Sequence, residues 1–262
     1  MHKAYAETPI GQVHYRTGGE GVPVLLLHQT PQSSLQFQHT FPLLIDAGVK
    51  VIAPDAPGYG VSDTPASPPS IEQYASVLPY VLDAVGVEKA VVVGHHTGAS
   101  QACELATAHP DRVSRVVLHG VPWYTDEERE ERLARLHVDT ALQADGSHLT
   151  DRWNWIFGRV GKVASLEACQ MNAVHAFWAG DTEWYCHQAA FEYDMTRALK
   201  AITQPTLALS NSGDLIHYIW ERLKGLRPDF RFAELDDGCV YIIFDEPERW
   251  VNAVIDFIKS DA

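Results

Sequence analysis

The sequence predicts an α/β fold with a mostly parallel sheet and helices on both faces, and three observations predict it. Apolar stretches rich in β-branched residues alternate with amphipathic segments at the spacing of strand–helix–strand units. Turns rich in glycine and proline follow these stretches where strands would end. The 262 residues, 46% of them hydrophobic, can bury one large core without a second domain.

The predicted elements follow one another along the chain in a regular order. They are a hairpin of residues 3–7 and 10–15, a strand at 22–28, a helix at 34–47, a strand at 49–54, a helix at 71–85, a strand from 91 with a helix after 98, and a strand at 113–119. The alternation then resumes with a strand at 205–210, a helix at 215–226, a strand at 230–235 and a helix at 246–259. Right-handed crossovers between such strands would cover both faces of the sheet.

The pattern changes between residues 122 and 199, where apolar strands disappear and helical periodicity takes over. We expect a helical cap at 122–199, inserted into a core of residues 1–121 and 200–262. The aromatic residues of this segment, among them Trp123 and Tyr193, suggest a largely apolar pocket roof. Packing between cap helices explains most of them equally well.

Composition narrows the classes of partner. Twenty basic and thirty-four acidic residues give a net charge of −14, which disfavours binding to nucleic acid or an anionic membrane. The four cysteines form no C-x-x-C pair, and neither a signal peptide nor a long apolar span is recognisable. We therefore expect a cytoplasmic protein, a monomer or homodimer, that acts on a small molecule.

The residues from Val91 to Gly98, Val-Val-Val-Gly-His-His-Thr-Gly, are typical of a nucleophile elbow. In such a turn two glycines allow a strained strand-to-helix connection that exposes the middle side chain above the sheet. Serine, cysteine or aspartate is expected there, because each can form a covalent intermediate. The middle residue of this chain is His96.

The chain resembles the α/β-hydrolase superfamily over nearly its whole length, and it is most similar to the branch of haloalkane and fluoroacetate dehalogenases and epoxide hydrolases. The matching motifs, in the order of that family, are His28-Gln29-Thr30-Pro31-Gln32-Ser33-Ser34, Ala53-Pro54-Asp55 with Gly58-Tyr59-Gly60 and Ser62, Gly94-His95-His96-Thr97-Gly98-Ala99, His109-Pro110-Asp111-Arg112-Val113, and Glu246-Pro247-Glu248-Arg249-Trp250. The resemblance implies the fold and a helical cap, and it assigns His96 to the nucleophile position.

Two further catalytic positions follow from the resemblance. The catalytic histidine of the family would fall at Val240 or, with a shift of one residue, at Cys239, and neither side chain can shuttle a proton. The acid loop matches Ser212-Gly213-Asp214, which makes Asp214 the expected carboxylate, although an aspartate there can equally cap the following helix. His217 could replace the missing base, or it could simply be solvated.

The resemblance also implies an oxyanion hole formed by the backbone amides of Thr30 and Thr97. One such donor lowers a reaction barrier by roughly 3 kcal/mol. Gln29 occupies a place where this branch usually has glycine, which could narrow the hole. The alternative is that the elbow persists only as a structural relic.

The other histidines and the cap complete the set of candidates. His28 is expected to support its loop beside the substrate, His95 to pack beside the elbow, and His119 to open toward the crevice at the carboxyl ends of the strands. Tyr193 lies in the region where the epoxide hydrolases that this chain resembles place tyrosines that polarise the leaving oxygen. His95 and His96 are expected to face different sides, and no metal or other cofactor is predicted.

A histidine at an elbow supports three functions. As a general base, His96 would take a proton while the amides hold the resulting oxyanion, which is the chemistry of a lyase, isomerase or cyclase acting on a small, partly apolar carbonyl compound. As a nucleophile, it would make the protein a hydrolase of an ester, lactone or epoxide. If His96 only fills space, the protein binds a ligand without turning it over.

Overall fold

Eight strands form one sheet in the computed structural model, which describes residues 1–136, 142–161 and 163–260. The strands β1 to β8 are His2–Thr8, Gly11–Gly18, Val22–Leu27, Val49–Pro54, Ala90–His95, Val113–His119, Thr206–Asn211 and Arg231–Leu235. Their order across the sheet is β1-β2-β4-β3-β5-β6-β7-β8. β2 is antiparallel to both of its neighbours, and the six strands from β4 to β8 in this order are parallel. The predicted fold class is therefore confirmed.

Helices cover both faces of the sheet. The α-helices α1 to α12 are Thr40–Asp46, Ile71–Ser76, Leu78–Ala84, Thr97–Ala108, Asp126–Ala134, Ser147–Val160, Leu166–Ala179, Tyr185–Glu192, Met195–Ala201, Trp220–Leu226, Ile242–Asp245 and Pro247–Lys259. Short 3₁₀ turns lie at Ser34–Phe37, Pro110–Arg112, Gly180–Thr182 and His217–Ile219. α1 and α12 bury one apolar core against the sheet, and α2, α3 and α4 bury the other. None of the helices in the described part of the chain is long and apolar enough to cross a membrane.

Two predicted helices are interrupted in the structure. The segment 71–85 divides into α2 and α3 at Val77, because Pro79 has no amide hydrogen to continue the helical ladder. The segment 215–226 begins with a 3₁₀ turn and becomes α-helical only at Trp220. The strand positions differ from those predicted by no more than a few residues.

The segment predicted as a cap is helical in its described residues. α5, α6, α7 and α8 lie within 122–199, and α9 extends across the expected boundary to Ala201. α6 and α7 share an apolar cluster with the loop after β8. In that cluster Ile156 and Val160 pack with Val240 and Tyr241, and this contact positions the helices above the carboxyl ends of the strands.

The turn between β5 and α4 depends on two glycines. A Cβ atom on Gly94 would lie 2.2 Å from the carbonyl oxygen of Gly98, and a Cβ on Gly98 would lie 2.2 Å from the carbonyl oxygen of Leu27. Real side chains do not tolerate such distances to backbone atoms. Glycine at both positions therefore allows α4 to begin directly against β3.

Gly98→Ala is expected to lower the free energy of unfolding by about 3 kcal/mol, because the new methyl group forces backbone atoms apart. Gly158→Ala is a matched control, since Gly158 lies inside α6 with open space where a Cβ would be. That variant should gain up to about 1 kcal/mol from helix propensity. Urea unfolding measures both changes, and equal stability of Gly98→Ala and the unmodified protein would contradict the packing argument.

Candidate active site

His96 occupies the tip of the turn between β5 and α4 in a strained backbone conformation. Its φ of 50° and ψ of −116° lie in a region that residues other than glycine rarely adopt, at a cost of about 1–3 kcal/mol. Gly120 makes room for the ring, since a Cβ there would lie 2.5 Å from His96 Cδ2. This backbone conformation directs the imidazole to the wall of a cavity of about 600 Å³ between the sheet and helices α5 to α8.

Asp214 is the hydrogen-bond partner of this imidazole. Its Oδ2 lies 2.8 Å from His96 Nε2, and its Oδ1 accepts a hydrogen bond of 2.9 Å from the amide of Ile216. Burial raises the pKa of the Asp214 carboxyl, but the charge and hydrogen bond of His96 outweigh it, so the pKa lies below its ordinary value. Because a carboxylate only accepts hydrogen bonds, Nε2 carries the proton, and Nδ1 of the neutral ring has the free lone pair.

The position where the family has its catalytic histidine is occupied by an apolar side chain that packs in the core and cannot transfer a proton. Val240 is buried and lies in the apolar cluster between the cap helices and the loop after β8. The neighbouring Cys239 is buried too, and burial raises the pKa of its thiol to about 11. Among the described residues, the ring of His96 is hydrogen-bonded to Asp214, and the position of the family's catalytic histidine supplies no proton relay.

The four residues expected around the oxyanion hole and the missing histidine all line the cavity: Gln29, Thr30, Thr97 and Val240. The amide of Thr30 donates to Thr97 Oγ1 at 3.0 Å, and the two threonine hydroxyls also lie 3.0 Å apart. The Thr97 hydroxyl thus occupies the place that a substrate oxygen would take at the Thr30 amide. An oxyanion must displace this hydroxyl before both amides can bind it.

His119, expected to open toward the crevice, lies outside the lining of this cavity and is fully buried. Its Nε2 donates to Asn211 Oδ1 at 3.0 Å, and its Nδ1 accepts from the indole Nε1 of Trp250 at 3.1 Å. Burial lowers the pKa of His119 to about 4. Both ring nitrogens are therefore committed, and the ring stays neutral at ordinary pH.

This buried imidazole predicts a loss of stability in weak acid. Between pH 6.5, the ordinary pKa of histidine, and pH 4, the unfolded chain binds a proton that the native His119 does not. Protonation of the unfolded state alone should lower the free energy of unfolding by about 3 kcal/mol across this window. Urea unfolding at several pH values measures the slope, which we expect to be shallower in His119→Gln. Equal slopes would contradict this assignment.

The remaining candidates also lie outside the cavity lining. His28 donates from Nδ1 to Gln29 O at 2.9 Å and accepts from the Ala56 amide at 2.9 Å, which fits a support for its loop. His217 contacts Ser210 Oγ at 2.9 Å and Glu234 at 3.4 Å.

The two aromatic candidates, Trp123 and Tyr193, form hydrogen bonds outside the cavity. The indole of Trp123 donates to Thr196, and the buried hydroxyl of Tyr193 donates to Glu104 at 2.7 Å.

The expectation that His95 and His96 face different sides is wrong. Their ring centroids are 4.5 Å apart, and with Asp214 they form a group whose ligand atoms all lie within 4.8 Å. The hydrogen bonds do not fit a metal ion, however. The side-chain oxygen Oε1 of Gln36 accepts a hydrogen bond from the backbone amide of Gln29. The side-chain nitrogen Nε2 of Gln36 therefore faces His95 and donates to its Nδ1. His95 must then keep a proton on Nε2, the atom that would have to bind the metal.

Several cavity residues were missed by the sequence reasoning. Arg132, Arg152, Arg159 and His187 line the cavity together with Tyr124. The helical spacing of Arg152, Ile156 and Arg159 places them on one face of α6, which is the signal that could have found them. The expectation of an apolar pocket roof rested only on the aromatic residues of this segment.

The chain matches a known protein family and is similar to several known proteins. A family model described as the α/β hydrolase fold matches residues 22–247. The protein named Epoxide hydrolase 3 of Siraitia grosvenorii is 39% identical over 108 residues, which are 40% of this chain and 34% of that protein. The match thus spans about a third of the length of this relative.

Solved structures resemble the chain over nearly its full length. The solved structure of E-2-(acetamidomethylene)succinate hydrolase has a TM-score of 0.82 at 21% identity, and the match covers 99% of both chains. The enol-lactonase from Burkholderia xenovorans LB400 has a TM-score of 0.79 at 22% identity, covering 98% of this chain and 100% of the other. At these identities the likeness is one of fold.

Proposed function

The chain belongs to the α/β-hydrolase fold family, and from that premise we propose that it is a cofactor-independent hydrolase of a carboxylic ester or lactone. The family model and the epoxide hydrolase relatives confirm the resemblance recognised in the sequence. One observation carries the proposed chemistry: the ring of His96 lies at the cavity wall with Nε2 hydrogen-bonded to the buried Asp214 carboxylate at 2.8 Å.

The first proposed step is attack of His96 Nδ1 on the acyl carbon of the substrate. The carbonyl electrons move to oxygen, where the Thr97 amide and, after displacement of the Thr97 hydroxyl, the Thr30 amide can donate to them. Collapse of this intermediate breaks the bond to the alcohol oxygen, which leaves as an alkoxide and takes a proton from water. The acylated ring is then positively charged, and the Asp214 carboxylate stabilises it through the hydrogen bond to Nε2.

The second proposed step is hydrolysis of the acyl-imidazole. Water attacks the acyl carbon, the bond to Nδ1 breaks, and the carboxylic acid leaves with one oxygen atom from solvent. The imidazole returns to its neutral form with the proton still on Nε2, and the proton released by the attacking water neutralises the hydroxide left when the alkoxide was protonated. No second histidine is needed, because an acyl-imidazole is reactive toward water without a strong base.

Ester or lactone hydrolysis fits the cavity better than epoxide opening. Tyr193, the tyrosine expected to polarise an epoxide oxygen, is buried and donates its hydroxyl proton to Glu104 outside the cavity lining. An acyl substrate needs donors at a carbonyl oxygen instead, and the Thr30 and Thr97 residues of the cavity can supply them.

General-base chemistry is a second candidate, favoured by the same hydrogen bond. With Nε2 committed to Asp214, Nδ1 could remove a proton from carbon or oxygen in a lyase, isomerase or cyclase reaction. The hydrolase relatives favour the first candidate. The ligand-binding alternative requires that His96 take no part in a reaction.

Labelled water separates these functions. The purified protein is incubated in H₂¹⁸O with 4-nitrophenyl pentanoate, dihydrocoumarin and styrene oxide, and the products are examined by mass spectrometry. We expect one ¹⁸O atom in the acid products of the first two substrates and slower turnover of the epoxide. Conversion of a carbonyl compound without label would support the lyase route, and the absence of any product would favour ligand binding.

A further inference from the structure

We propose that Arg132 and Arg159 of the cap bind a carboxylate carried by the substrate, so that the enzyme prefers anionic acyl compounds. This proposal rests on the proposed hydrolase function, because it names the substrate class of the same cavity. It begins from a contrast in charge. The protein carries a net charge of −14, yet the cavity beside His96 is rich in arginine.

The charges around the cavity do not balance. Among the described residues of the lining, four arginines, at 132, 135, 152 and 159, face two glutamates, Glu131 and Glu183. Both glutamates are already committed, because Glu183 pairs with Arg152 and Glu131 pairs with Arg135. Two positive charges are left over.

These two charges belong to Arg132 and Arg159. Within the described parts of the chain, neither guanidinium lies within 4.0 Å of a carboxylate oxygen. Arg132 donates to the Tyr218 hydroxyl at 3.0 Å and stacks on Tyr124, while its buried Nε has no described partner. Arg159 lies over the ring of Trp155, 4.6 Å from its centroid. Aromatic faces orient both groups without neutralising them.

The pKa shifts of two lining residues, His187 and Arg159, agree with this surplus of positive charge. His187, also in the lining, has a pKa lowered to about 4, mainly by burial and further by its interaction with His96 and by the positive charges of three arginines. Burial likewise lowers the pKa of Arg159, and the charges of Arg132 and Arg152 add to that effect. An anion entering the cavity would therefore relieve repulsion as well as form hydrogen bonds.

A carboxylate is the anion whose chemistry fits best. The planar guanidinium of arginine presents paired N–H donors that match the two oxygens of a carboxylate, and such bonds are stronger than those between neutral groups. The cavity of about 600 Å³ can hold a substrate with one end at His96 and a charged end at the arginines. Because two arginines are unpaired among the described lining residues, the cavity should also repel cationic substrates.

Two matched esters test the proposal. 4-Nitrophenyl hydrogen glutarate carries a terminal carboxylate, and 4-nitrophenyl pentanoate has an uncharged chain of similar length. We expect kcat/KM for the glutarate ester to exceed that for the pentanoate ester by about tenfold. Arg159→Gln and Arg132→Gln should each remove most of this preference. Arg129→Gln is the control, since Arg129 lies on α5 outside the cavity lining and pairs with Asp126.

A binding measurement keeps this proposal separate from the proposed function. Calorimetry with free glutarate should detect binding to the unmodified protein and about tenfold weaker binding to Arg159→Gln, whether or not any ester is hydrolysed. Glutarate binding without ester turnover would support the anion site and contradict the hydrolase function. Equal turnover of both esters, with no binding of glutarate, would overturn the anion site and leave the hydrolase function standing.

Discussion

His96→Ala is expected to lower kcat/KM for 4-nitrophenyl pentanoate by about 10⁴-fold. The substitution removes Nδ1, the atom proposed to attack the acyl carbon, and leaves a cavity that can still bind the substrate. Release of 4-nitrophenol under initial-rate conditions measures the loss. KM should change much less than kcat, because the chain of the substrate contacts other residues.

The matched control is His109→Ala. His109 lies in the turn after α4, away from the cavity, and its ring makes no hydrogen bond among the described residues. His96→Ala also leaves the buried Asp214 carboxylate without its partner, so the free energy of unfolding should fall by about 3 kcal/mol. Circular dichroism below the unfolding transition separates lost chemistry from lost fold. A folded His96→Ala protein with full activity would remove His96 from the mechanism.

Asp214→Asn is expected to reduce kcat by about a thousandfold while the fold persists. The amide is nearly isosteric with the carboxylate, but it carries no charge to stabilise the positive ring formed when Nδ1 reacts. It also no longer fixes the proton on Nε2, because an amide can donate as well as accept. Activity comparable to that of the unmodified protein would indicate that Asp214 serves only as a helix cap.

The effect of Asp214→Asn on the free energy of unfolding should also depend on pH. The pKa of Asp214 is lowered in the native state, so its ionised form contributes stability above the ordinary carboxyl pKa near 3.8. That contribution is lost as the pH falls through the lower, native pKa. The difference in unfolding free energy between the unmodified protein and Asp214→Asn should therefore shrink from pH 5 to pH 3. Asp46→Asn, at an exposed aspartate of α1, is the control.

The fold and the turn around His96 could be predicted because local sequence determines them. Alternating apolar strands and amphipathic helices define the layers, and Gly94 and Gly98 permit the turn whatever residue lies between them. Asp214 was found through the acid loop that the family shares, although it lies 118 positions from His96. The departure at Val240 was also visible, since the closing motif fixes the spacing.

The positions that sequence reasoning misplaced depend on long-range packing. His119 ends β6 at the expected edge, but the indole of Trp250, 131 residues further along the chain, covers its ring. Tyr193 turns inward to Glu104 of α4. The cap arginines were missed because their importance lies in unbalanced charge, which appears only when α5, α6 and the neighbouring glutamates are placed around one cavity.

The most direct test of His96 as the nucleophile is the mass of the protein during turnover. The reaction with 4-nitrophenyl pentanoate is stopped with acid within milliseconds, and the intact protein and its peptides are weighed. We predict an added pentanoyl group on the peptide that contains His96, and its absence in His96→Ala. A pentanoyl group on another residue, or rapid turnover with no acylated protein at any time, would contradict the claim that His96 is the nucleophile.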